Sequence, residues 1–99
     1  MDQLTDTLAN YIAVLADSLN KTSQPEDRSS YVRHLSEAAI LFSLLHRGAS
    51  FERLEENIKS EQRNFGWSYL SGSEGEAAET AFAELVNVFA HEKSERDSE

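Results

Sequence analysis

Residues 24–48 read "QPEDRSSYVRHLSEAAILFSLLHRG", and this stretch decides the fold. Pro25 sits where a first helical turn tolerates proline, since the amide it lacks has no partner there in any case. Tyr31, Leu35, Ala38, Phe42 and Leu45 then recur at three- and four-residue steps, the period of one helix face. Val32, Ala39, Ile40, Leu41 and Leu44 widen that stripe until most sides of the second half are apolar. A helix of this kind belongs in the middle of a bundle, packed by neighbours. Gly48, directly after His46 and Arg47, is the expected stop. The spacing predicts a central helix over 24–47, with Ser23 as its cap.

Working outward, Leu4, Leu8, Tyr11, Ile12, Leu15 and Leu19 mark an amphipathic helix over 2–19, with Asp2 and Asp6 near its positive end. The polar run "NKTSQPED" (20–27) separates the two. On the other side, Ser50 caps a third helix over 51–65, with a thin stripe of Phe51, Leu54, Ile58 and Phe65 and dense charge elsewhere. Glu55 and Lys59 form a favourable i,i+4 pair on it. After "GWSYLSG" (66–72), "SEGE" (73–76) has the form of a capping box with Ser73 as N-cap and Glu76 at N3. The fourth helix carries Ala77, Ala78, Ala81, Phe82, Leu85, Val88 and Phe89 on one face, its small residues suited to a close approach to helix two. "HEKSERDSE" (91–99) has no apolar anchor, so residues 93–99 read as a frayed charged tail on a single helical domain of residues 1–92. Four helices with short connections predict an all-α bundle.

Composition narrows the function classes. The 99 residues suit one domain, and the 39% that are apolar suffice for a modest core. No cysteine is present, which removes disulfides, thiolate metal sites and thiol nucleophiles and suits a reducing cytoplasm. The N-terminus lacks the basic and apolar regions of a signal peptide, and the longest apolar run is far short of the ~20 residues of a membrane span, so the expectation is a soluble cytoplasmic protein. Eighteen acidic residues against nine basic ones give a net charge of −9. That balance argues against nucleic acid or an anionic membrane as partner, because phosphate binding needs clustered Lys and Arg. It favours a basic protein partner reached by electrostatic steering.

A search for chemistry returns little. His34, His46 and His91 show no HxxxH or HExxH spacing, and the paired ExxH motifs of a carboxylate di-metal bundle are missing, so no metal or cofactor is expected. His34 reads as a structural histidine on a helix surface. No serine lies in a GxSxG elbow, and the glycines of "SGSEGE" lack the lysine of a phosphate loop. Glu74, Glu76 and Glu79 are explained by the positive end of the helix dipole rather than as paired catalytic acids. The reading is non-enzymatic.

One asymmetry remains. No Lys or Arg lies between Arg63 and Lys93, while Glu74, Glu76, Glu79, Glu84 and Glu92 fall inside that interval. Beside them stand three aromatics, Phe65, Trp67 and Tyr69. Aromatics supply buried anchors and acids supply steering, so Trp67, Tyr69, Glu74, Glu76, Glu79 and Glu84 form the candidate partner-binding set. Trp67 and Tyr69 also fit a second role, as a plug over the bundle end, and both roles stay open. Phe65 and Leu70 are expected to point inward.

The chain resembles the small acidic immunity proteins encoded beside bacterial toxins, including those of contact-dependent inhibition and other polymorphic toxin systems. The resemblance rests on size, the all-helical pattern and "FGWSYLSGSEGEAAETAF" (65–82) with an acidic last helix. It implies a protein without catalysis that binds a cognate basic toxin, often a nuclease, and covers its active site. The alternative expectation is a small regulatory or adaptor protein acting through protein contacts, as a homodimer.

Overall fold

The computed structural model describes residues 2–67, 70 and 72–98, with Asp2 and Trp67 described by their backbone alone. Four helices follow one another: α1 (Asp2–Lys21), α2 (Pro25–His46), α3 (Phe51–Trp67) and α4 (Gly72–Asp97). They form the expected all-α bundle, 47 Å long and 21 by 20 Å across. Leu4 and Leu8 from the start of α1 meet Leu41 and Leu45 from the end of α2, Leu54 from the start of α3 and Phe89 late in α4. At the other end, Ser18 of α1 reaches the Glu74 backbone at the start of α4. The helices therefore alternate up and down, as short connections require.

The neighbours differ from the expected ones in one respect. α1 packs against α2 and α4, and α2 packs against α3, so α2 and α4 stand diagonally. The small residues Ala78 and Ala81 are buried as expected, but the helix that α4 lies against is α1, not α2. An apolar stripe fixes which face of a helix is buried; chain connectivity fixes what it is buried against. The core comprises Leu8, Tyr11 and Leu15 of α1, Tyr31, Ala38 and Leu41 of α2, Leu54 and Ile58 of α3, and Phe82, Leu85 and Phe89 of α4. Phe65 and Leu70 pack against it from the edge, as expected.

Helix ends follow local chemistry. α2 closes in a Schellman motif: the Gly48 amide donates to Leu45 and the Ala49 amide to Leu44, with Gly48 at φ +75° and Ala49 packed on the core. Ser50 accepts the Arg53 amide at 3.2 Å and so caps α3. Ser23 does not cap α2. The N-cap is Gln24 without a side-chain bond, and Arg28 closes the connection instead. Its guanidinium donates to the carbonyls of Leu19 and Thr22, both at 2.8 Å, and so ties the start of α2 to the end of α1 and the residue that follows it. α3 continues two residues past its expected stop, to Trp67.

α4 departs at both ends. It begins at Gly72, so Ser73 lies inside the first turn and no Ser73–Glu76 capping box forms. The start is set by Leu70: a Cβ on Gly75 would lie 2.5 Å from the Leu70 carbonyl oxygen, so the connection lies directly over a glycine. At the far end the helix runs on to Asp97 where a frayed tail from residue 93 was expected. Lys93 bonds Glu55 at 2.8 Å, Arg96 reaches Glu52 at 3.3 Å, and its guanidinium lies 4.7 Å from the Phe51 ring centre. Those anchors are polar and sit on α3, which is why an apolar pattern gives no sign of them.

Candidate functional site

The surface that carries the charge asymmetry is α4. Its seven acids (Glu74, Glu76, Glu79, Glu84, Glu92, Glu95 and Asp97) face only Lys93 and Arg96. The two halves of the helix use them differently. In the C-terminal half the charges are tied up: Lys93 with Glu55, Arg96 with Glu52 and Asp97, and His91 with Glu95 at 3.0 Å. The Lys93 hydrogen bond draws the Glu55 carboxyl below the usual range, and Glu55 raises Lys93 in return. In the N-terminal half, Glu76, Glu79 and Glu84 are exposed, and none makes an ion pair among the described residues.

At about 100° per residue, Glu76 and Glu79 share one flank of α4, the flank toward α3, while Glu84 is turned about 140° from Glu79. Together they span the solvent side of the helix rather than a tight cluster. Glu74 stands apart, half-buried, with its carbonyl accepting from Ser18 of α1 and its charge felt by Lys21. Tyr69 lies outside the described residues. Trp67 ends α3, but its side chain also lies outside them. Neither role expected of these two aromatics is therefore decided.

Beside the unpaired acids runs a groove. α3 and α4 are the neighbouring helices whose backbones approach least, and the furrow between them holds two continuous stretches of about 490 and 350 Å³ that share Gln62 and Val86. The smaller stretch has Phe65, Phe82 and Val86 as its floor and Glu79 on its rim. An apolar floor with the unpaired Glu79 carboxylate at its rim has the chemistry of a docking groove for a cationic, partly apolar segment.

A second locus lies inside the bundle and was not expected. Glu61 of α3, Tyr11 of α1 and His34 of α2 meet in the core, each at most 3% exposed. The Tyr11 hydroxyl donates to Glu61 Oε2, and Asn64 Nδ2 donates to Oε1 at 3.0 Å. His34 Nδ1 lies 2.9 Å from the same Oε1 but off the line a hydrogen bond needs, so the contact is electrostatic. Neither ring nitrogen has a hydrogen-bond partner among the described residues. Phe65 stacks on the imidazole with centroids 4.2 Å apart. Burial, the Glu61 charge and the Glu61 bond all push the Tyr11 phenol well above its ordinary value. His34 is thus a core residue, not a surface one.

The three residue types could pass protons, but here they are packed against Phe65 and Phe82 and almost wholly shielded from solvent. Their evident effect is to join α1, α2 and α3 with a geometry that apolar packing alone would not specify. The signal was in the register: Leu54, Ile58, Glu61 and Phe65 follow one stripe, and Tyr31, His34, Ala38 and Leu41 another. A carboxyl and an imidazole each occupy an apolar position. Among the described residues, no group of three or more His, Cys, Asp or Glu could hold a metal ion, and no helix is long and apolar enough to cross a membrane. No protein-family profile, curated protein or solved structure matches the chain.

Proposed function

We propose that the chain is a non-catalytic binding protein that engages a basic protein through the first half of α4 and the adjoining α3–α4 groove. The observation that carries this is that Glu76, Glu79 and Glu84 make no ion pair among the described residues, whereas His91, Lys93 and Arg96 in the C-terminal half of α4 are each paired with a carboxylate. Unpaired carboxylates keep their full field for steering an incoming cation, and they have no internal bond to break on binding. The floor of Phe65, Phe82 and Val86 supplies the apolar contact that anchors a steered encounter. As an immunity protein, as the resemblance suggests, it would act in the bacterial cytoplasm by covering the active site of a cognate toxin. Its carboxylates would then stand where a nuclease otherwise receives phosphates.

A second reading, a regulatory or adaptor protein acting as a homodimer, is favoured by the exposed aliphatic residues Val32 and Ile40 on α2. Affinity capture with tagged protein at low and moderate salt separates the two. Recovery of one basic domain whose expression arrests growth, with growth restored on co-expression of this chain, supports neutralisation. Recovery of a regulator or secretion component, with no toxic domain, replaces it by the adaptor reading.

A further inference from the structure

The large hydrophobic residues that stand exposed among the described residues all lie on α2: Val32 at 52%, Ile40 at 50% and Phe42 at 40%. At about 100° per residue, Val32, Ser36, Ala39, Ile40 and Ser43 fall within about 100° of arc, opposite the buried Tyr31, His34, Ala38, Leu41 and Leu45. This outer strip contains no acid. Two aliphatic side chains flank a line of small ones, a surface into which a second helix can settle closely.

The charge map says what covers it. α2 together with Arg47 carries three acids (Glu26, Asp27, Glu37) and three bases (Arg28, Arg33, Arg47), whereas α4 carries seven acids and two bases. Zero against minus five makes α2 the helix on which two copies of an acidic chain can meet without repulsion. Because α4 is diagonal to α2, pairing through α2 leaves the two acidic faces on opposite sides of the assembly. Each bundle is 20 to 21 Å thick, so those faces lie about 40 Å apart, several screening lengths.

On one flank of the strip, Arg33 and Glu37 are one helical turn apart, yet neither makes an ion pair among the described residues. We propose that a second copy of this chain covers the strip, α2 packing antiparallel on α2 about a two-fold axis near Ser36. Val32 of each copy then faces Ile40 of the other, and Arg33 of each comes within reach of Glu37 of the other, twice by symmetry. An isologous contact of this kind closes on itself and does not propagate. α2 is about 33 Å long, and one helix face of that length covers less than the ~800 Å² per partner of a standard interface. The dimer is therefore concentration-dependent, and it leaves α4 and its groove free. It rests on the same exposed strip that favours the adaptor reading, whereas a basic partner on α4 is tested separately.

Sedimentation from about 5 µM to about 1 mM tests it across the range a small interface covers. The weight-average mass is expected to rise from 11.1 kDa toward twice that value. Ile40→Glu should weaken the dimer about tenfold or more, with the circular dichroism spectrum unchanged because the position is exposed. Arg33→Glu or Glu37→Arg alone should also weaken it, and the double exchange should restore it. A monomer at every concentration overturns the proposal, as does a dimer indifferent to Ile40→Glu or a double exchange no tighter than its parents.

Discussion

Replacing Glu61 by leucine removes the acceptor of the Tyr11 hydroxyl while keeping a side chain of similar size in the core. The hydroxyl is left buried among Phe65 and Phe82 with no other described partner. An orphaned buried donor costs about 1–3 kcal/mol. Breaking a buried polar pair from one side costs about 3–5 kcal/mol where the remaining partner is charged. Leucine recovers part of this by burying apolar surface, so Glu61→Leu should destabilise the fold by about 2–4 kcal/mol. At a urea slope of about 1.5 kcal/mol/M the midpoint falls by about 2 M, readily seen by circular dichroism. Tyr11→Phe alone should cost about 1–2 kcal/mol, since it takes a donor from a buried carboxyl. The double variant Tyr11→Phe/Glu61→Leu should cost less than the sum by at least about 1 kcal/mol, because the second change removes the group the first one orphaned. Adding His34→Leu should bring stability back toward wild type, as replacing a whole buried polar cluster often does. A Glu61→Leu variant within about 0.5 kcal/mol of wild type, or strict additivity of the pair, would refute this reasoning.

Three further outcomes follow from the same geometry. Tyr11 holds its proton more tightly folded than unfolded, so stability is fully present below pH ~10 and should fall above it by about 1.4 kcal/mol per pH unit; alkaline urea titrations of wild type and Tyr11→Phe check this, the variant losing that slope. Gly75→Ala, a favourable change at most helical positions, should destabilise by about 1–3 kcal/mol because the new Cβ meets the Leu70 backbone; thermal melts decide it. Arg96→Ala should speed amide hydrogen exchange in the last turns of α4 while leaving the core amides of α1 unchanged, since Arg96 joins that end to Glu52 and Phe51 of α3.

The parts of this molecule that were legible in its sequence are those set by period. Stripes of Leu, Ala and Phe at three- and four-residue steps locate four helices, and Gly48 and Ser50 punctuate them where the structure does. Period does not tell which helices touch, so α4 was expected against α2 and lies against α1. Nor does it reveal long-range polar anchors: Lys93 and Arg96 looked like a solvated tail because Glu55, Glu52 and Phe51, about forty residues earlier in the chain, hold them. Glu61 was lost among the glutamates of α3, although it alone of these falls in register with Leu54 and Ile58. For the candidate site, the sequence showed the excess of acid in α4. Only the fold separates Glu76, Glu79 and Glu84, which are exposed, from Glu74, which is half-buried and whose backbone carbonyl accepts from Ser18 of α1.

The unpaired acids of α4 are the centre of the functional reading, and a paired capture tests them most directly. Wild type and the charge-reversed variant Glu76→Lys/Glu79→Lys/Glu84→Lys would be tagged, shown by circular dichroism to fold alike, and incubated with the same lysate at about 50 and about 300 mM salt, on either side of physiological screening. The expected result is a basic protein retained by wild type at low salt, reduced at high salt, and lost with the variant at both. Capture of the same proteins in the same amounts by both forms would contradict the assignment of α4 as the binding surface.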